Sequence, residues 1–191
     1  RMNNREAMDQ APRTLVDRAL RDPEAFGEII DHHKAMVYSL AYHFFQNRAF
    51  AEDLAQDVYL ELFRNLGRIQ SDLHLSFWLK QAVTRKCIDY TRRLKHRRYQ
   101  PLDEVVEPGF QPPEADPLLA ENLRRRVDGL PDSMTMVVIL RFQEDLKLSE
   151  IAEILDMPVN TVKTTLRRAL ARLREKAASL QAEVCYGTSA R

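Results

Sequence analysis

The chain has 191 residues, 29 Lys+Arg against 28 Asp+Glu for a formal net charge of +1, 45% hydrophobic residues and only five glycines. That balance describes a soluble globular protein of one domain or two small ones, and no apolar run approaches the roughly 20 residues of a membrane span. With no signal-peptide core, no alternating apolar and polar run and only Cys87 and Cys185, the sequence predicts an all-α, cytoplasmic protein with neither a disulfide framework nor a zinc site.

Charge is segregated along the chain. Residues 1–100 carry 17 Lys+Arg against 13 Asp+Glu, residues 101–120 none against five, and residues 121–191 twelve against ten. Two mildly basic blocks therefore flank an acidic spacer. The spacer, 99–116, contains Pro101, Pro108, Gly109, Pro112 and Pro113. Proline at this density prevents helix and favours extended chain, able to span some tens of ångströms at roughly 3.3 Å per residue. The predicted organisation is an N-terminal segment (1–21), a helical domain (22–98), the linker (99–116), a second helical domain (117–180) and a disordered tail (181–191).

Before Asp22, only Leu15, Val16 and Leu20 form an apolar cluster, which predicts a short docked helix or a frayed end. A first long helix starts near Pro23, with Phe26, Ile29, Ile30, Met36, Val37, Leu40, Ala41 and Phe44 as core positions. A break at Gln46-Asn47-Arg48 precedes a second helix, Ala51 to Arg64. Its inner stripe is Leu54, Ala55, Val58 and Leu62, and its outer stripe, Asp53, Gln56, Asp57 and Glu61, is acidic and solvent-facing. A loop from Gly67 to Ser76 leads to Phe77, Trp78 and Leu79 and then to a basic run containing Arg85, Lys86, Arg92, Arg93, Lys95, Arg97 and Arg98. Aromatic residues running into a basic helix suit unstacked bases and the adjoining phosphates.

The second domain opens with Leu118, Leu119, Leu123, Val127 and Leu130 at helical spacing, stopped by Gly129 and Pro131, and continues with a helix around Met134 to Phe142. Leu148 to Lys163 then reads as two short helices joined by the turn Asp156-Met157-Pro158, a helix-turn-helix. Val159, Val162, Leu166, Leu170 and Leu173 form the buried stripe of the last helix, so Asn160, Lys163, Thr164, Arg167, Arg168 and Arg172 point outward. That mix reaches phosphates and base edges in a major groove. No glycine-rich phosphate loop, nucleophile elbow or spaced acid pair argues for an enzyme, and no cofactor or metal is expected.

Taken together, these segments resemble the extracytoplasmic-function group of bacterial sigma factors, which keep only the domains called sigma-2 and sigma-4. Ala51-Glu52-Asp53-Leu54-Ala55-Gln56-Asp57 is similar to that family's Ala-Glu-Asp-Leu-Val-Gln-Glu signature. Phe77 to Arg85 resembles the segment that melts and reads the −10 promoter element. Leu130-Pro131, Ile151 to Leu155 and Pro158 to Lys163 resemble the sigma-4 motifs. The resemblance implies that Asp53, Gln56, Asp57 and Glu61 dock on RNA polymerase at its beta-prime clamp, with the beta flap as a second contact. It further implies that Phe77, Trp78, Gln81, Thr84, Arg85, Arg92 and Arg93 engage the −10 strand. Gln81, Thr84 and Arg85 would touch its upstream edge, and a flipped base would enter the loop between Leu66 and Phe77. Asn160, Lys163, Thr164, Arg167, Arg168 and Arg172 would meet the −35 element, and an anti-sigma protein, often membrane-anchored, would hold the factor in check.

The sequence departs from the family at Asp156, where Gly is usual in the turn, and at Lys147, which replaces a capping Ser and leaves Ser149 to cap a shorter helix. Thr164-Thr165 stands where Ser-Arg is common. Two rivals make different predictions. A dimeric helix-turn-helix repressor binds a duplex operator without polymerase, and a mimic that only sequesters an anti-sigma factor has no use for the basic residues retained here.

Overall fold

The computed structural model describes residues 14–97 and 130–187, with side chains over 14–93 and 130–179. Among them every regular element is helical: α1 (Leu15–Ala19), α2 (Pro23–Phe45), α3 (Arg48–Asn65), a 3-10 turn (Leu66–Arg68), α4 (Asp72–Arg97), α5 (Asp132–Phe142), α6 (Leu148–Leu155) and α7 (Val159–Gly187). The linker and the helix expected from Leu118 lie outside the described residues.

Local chemistry sets the boundaries. Asp22 caps α2 by accepting from Glu24 N at 2.9 Å, with Pro23 in the first turn, where a missing N–H is harmless. The helix ends at Gln46, whose φ of 53° is left-handed and whose N–H bonds Tyr42 O at 2.7 Å. Asn47 then caps α3 by accepting from Phe50 N at 3.1 Å, so α3 begins at Arg48, three residues earlier than the hydrophobic pattern suggests. The expected loop to Ser76 is shorter as well. Ser71 Oγ accepts from His74 N at 3.1 Å and starts α4 at Asp72, so Phe77 lies in the second turn of a helix. The loop proposed for a flipped base therefore contracts to the 3-10 turn and the three residues after it. Helix α1 is docked, with Val16 buried and its N–H 3.4 Å from Asp72 Oδ1.

Helix α7 runs to Gly187, past the Gln181 at which disorder is expected. Gln181-Ala182-Glu183 are good helix formers, and no Pro or Gly interrupts them before Gly187.

Ile29, Val37 and Leu40 of α2, Val58 and Leu62 of α3, and Leu75, Leu79 and Val83 of α4 are buried completely, the centre of a three-helix core. Met136, Val137 and Leu140 of α5, Ile151 and Ile154 of α6, and Val162 and Ala169 of α7 play the same part after the linker. The two halves are in contact: α5 packs on α2 and α4, α6 packs on α4, and one apolar cluster runs through both.

Candidate functional site

On α3 the inner residues Leu54, Val58 and Leu62 are buried, and Tyr59 joins them. The helical repeat therefore turns Asp53, Gln56 and Asp57 to solvent. Glu61 is half-buried, and its Oε2 lies 3.1 Å from Lys86 Nζ on α4. Leu60 and Phe63 continue the outward face at 56% and 64% exposure, Phe63 meeting Phe26 edge to face at 5.3 Å. Sequence reading missed this pair, although Gln56, Leu60 and Phe63 stand at helical spacing on one side.

Between α3 and α4 lies a groove of about 560 Å³. One wall carries Asp53, Asp57 and Glu61; the other carries Trp78, Gln81, Arg85, Lys86 and Arg93. Its floor includes three mutually packed rings, with Phe45 5.2 Å and Phe50 5.1 Å from Tyr90. Trp78, Gln81, Arg85 and Arg93 are thus brought together, since positions three, four and seven apart share a helix face. Arg85, Arg92 and Arg93 are exposed, and Arg92 lies 3.8 Å from Asp89.

Thr84 is on another face and is 1% exposed. Its hydroxyl donates to Met136 Sδ of α5 at 3.7 Å, so the DNA contact expected of it is covered by the second half of the chain. Phe77 is half-buried and packs against the same core. One turn before Thr84, Lys80 Nζ is 3.9 Å from Glu144 Oε2. Burial holds the Glu144 carboxyl above the usual carboxylate range, against the opposing pull of Lys80.

In the helix-turn-helix, Asp156 adopts the left-handed conformation (φ 51°, ψ 52°), and Met157 N bonds Ala152 O at 3.0 Å. Pro158 precedes α7, its carbonyl accepting from Thr161 and Val162 at 2.9 and 3.1 Å. Helix α6 begins at Leu148 rather than after Ser149, because Glu150 Oε2 reaches back to accept from Lys147 N at 2.7 Å. Asn160, Lys163, Arg167, Arg168 and Arg172 are exposed as expected. Thr164 is half-buried and donates to Asn160 O at 2.9 Å. Val159, expected inside, is 43% exposed, whereas Ala169 is fully buried. Val159 opens the helix before any neighbour covers that face.

Burial pushes the Cys87 thiol well above its ordinary range, and desolvation lowers the pKa values of His33 and His43. Among the described residues no three His, Cys, Asp or Glu side chains converge as a metal site, and no helix is long and apolar enough to cross a membrane.

The chain matches the families described as Sigma-70 region 2, over residues 29–97, and Sigma-70 region 4, over residues 120–173. It is 30% identical to the ECF RNA polymerase sigma factor SigW of Bacillus subtilis over 81% of this chain and 90% of the relative. It is 34% identical to RNA polymerase sigma factor SigV of the same organism, over 76% and 86%. The chain belongs to the extracytoplasmic-function (ECF) sigma factors. In this factor, α2 to α4 make up the described part of region 2, and α5 to α7 the described part of region 4. Its fold is similar to that of CnrH, solved in complex with the cytosolic domain of CnrY (TM-score 0.63, 21% identity, 88% of this chain and 96% of the other). It is likewise similar to the Bartonella quintana sigma factor RpoE, solved with the anti-sigma factor NepR (TM-score 0.63, 18% identity, 80% and 96%).

Proposed function

We propose that this sigma factor divides its work among three surfaces. The acidic stripe of α3 docks on basic residues of the polymerase clamp, the groove-facing residues of α4 hold the −10 strand, and the outer face of α7 reads the −35 duplex. The observation that carries this reading is the opposition of charge on neighbouring helices. Exposed Asp53 and Asp57 on α3 repel phosphate, and exposed Arg85 and Arg93 on α4 attract it. A single surface of this kind serves a protein partner on one side and nucleic acid on the other. On α7, Asn160, Lys163 and Arg167 form an exposed patch at the N-terminal end, where a recognition helix meets base edges.

The relative solved with the anti-sigma factor NepR, and CnrH solved with the cytosolic domain of CnrY, support an anti-sigma partner for this chain too. The repressor reading leaves the acidic stripe and the groove unused. Retention of core polymerase by the immobilised protein, followed by promoter-dependent transcript synthesis, tests the assignment; retention without any transcript would remove the promoter-reading part of it.

A further inference from the structure

We propose that the groove between α3 and α4 binds a free guanine nucleotide, and that the bound nucleotide competes with polymerase and with the −10 strand. Competition rests on the roles proposed above for the two walls; binding does not.

The groove has room and unmet chemistry for an occupant. At about 560 Å³ it falls within the roughly 300–1,000 Å³ of small-molecule sites. Helices α3 and α4 touch at Glu61, whose carboxylate reaches Lys86 at 3.1 Å, and at Phe50, whose ring lies 5.1 Å from Tyr90. Glu61 and Phe50 are the last and the first of the α3 residues that line the groove. Between them, Asp53 and Asp57 pair with no cation among the described residues, and Arg85 and Arg93 on the other wall pair with no carboxylate among them. Opposite charges thus face each other across a gap with an aromatic floor, and the protein satisfies neither set.

Each surface selects one part of the occupant. The rings of Phe50, Tyr90 and Trp78 favour a flat body that stacks. An ionised carboxylate only accepts hydrogen bonds, so Asp57 requires an edge made of donors. Guanine has such an edge: N1–H and the 2-amino group lie side by side and donate to the two oxygens of one carboxylate. Adenine, cytosine and uracil each set an acceptor beside the donor, and a carboxylate repels it. Asp53, one turn from Asp57, is left for the donating hydroxyls of a ribose. Arg85 and Arg93 present forked donors to phosphate, which a nucleotide carries at the end away from its base. Side chains hold the phosphate, so no glycine-rich loop is needed. A nucleotide seated this way covers Asp57 and Arg85 together, the exposed groups assigned to polymerase and to the −10 strand, and one small ligand lowers both activities.

The test uses the full-length chain with GDP, with ADP and with IDP, which lacks the 2-amino group. Binding is followed by calorimetry and by the fluorescence of Trp78, the chain's single tryptophan, excited where purines do not absorb. GDP is expected to bind saturably and change the Trp78 signal, with ADP weaker by about tenfold or more and IDP between them, since a site that hydrogen-bonds a donor edge rejects rings lacking it. Asp57→Asn brings GDP and ADP within about threefold of each other, and Arg85→Ala weakens both alike, each fold being checked by circular dichroism. Should a variant fail to fold, the ranking of GDP, IDP and ADP on the unaltered chain decides. Saturating GDP lowers retention of core polymerase and binding of single-stranded −10 DNA. No saturable GDP binding up to about 1 mM, or equal binding of ADP, overturns the site. Binding of a guanine-containing single strand without binding of free GDP also overturns it, because the guanine chemistry then belongs to the strand. GDP binding that leaves polymerase retention and strand binding unchanged overturns the competition. GDP binding by a chain that retains no polymerase leaves the site standing and defeats the assignment of the α3 wall instead.

Discussion

Lys86 of α4 reaches Glu61 of α3 at 3.1 Å, so the acidic stripe is neutralised at one end by its own neighbour while Asp53 and Asp57 stay open to solvent. The three acids are therefore not equivalent. Asp53→Lys with Asp57→Lys is expected to lower retention of core polymerase about tenfold or more, about 1.4 kcal/mol, with the fold intact. Glu61→Ala changes it less than threefold. A pull-down at moderate salt decides between them, and equal losses for both variants would move the interface toward the groove.

Arg85 is exposed on the groove wall, and in the proposed −10 role its partner becomes accessible only as the duplex opens. Arg85→Ala is expected to reduce open-complex formation on linear promoter DNA and to be rescued by a template pre-melted at −10. Permanganate footprinting of both templates separates the steps. Failure of rescue would assign Arg85 to recruitment.

On α7, Arg167 belongs to the N-terminal patch and Arg172 lies one turn further on. Arg167→Ala is expected to cost about 1–3 kcal/mol at the preferred −35 sequence and to relax preference at one or two base pairs. Arg172→Ala weakens all sequences alike and lowers the salt dependence. Binding to a library of −35 variants distinguishes the two, and a uniform loss for Arg167→Ala would place the reading face elsewhere.

Two substitutions test the packing itself. The Tyr59 hydroxyl is buried with no hydrogen-bond partner among the described residues, and burial pushes its pKa up to about 12. Tyr59→Phe removes an unsatisfied group and is expected to stabilise by about 1 kcal/mol. Asp156→Gly relieves the left-handed turn and is expected to add about 0.5–1 kcal/mol, whereas Asp156→Val destabilises. Urea unfolding monitored by circular dichroism measures each, and a loss of stability in Tyr59→Phe would show that the hydroxyl has a partner.

Legibility in the sequence followed the physics of each feature. Leu54, Val58 and Leu62 announce an inner face by helical spacing alone, and the acids opposite them follow. Starts at Arg48 and Asp72 depend on the caps Asn47 and Ser71, polar residues outside the hydrophobic pattern, and so were misplaced. The burial of Thr84 was not legible for a deeper reason. Spacing tells which residues share a face of α4, but which face another half of the chain will cover is a property of long-range packing. Val159 shows the converse, an apolar residue at the right spacing that stays 43% exposed. The rings of Phe45, Phe50 and Tyr90 come from three helices and leave no local pattern to find.

The central claim is that this chain lets RNA polymerase recognise and open a promoter. Transcription in vitro with purified core polymerase, on a library of templates, measures that directly. The account predicts transcripts from a sequence-restricted subset of templates, dependent on the added chain and reduced by Asp53→Lys with Asp57→Lys. Tight binding of the chain to duplex DNA without polymerase, with no transcript from any template, would contradict it.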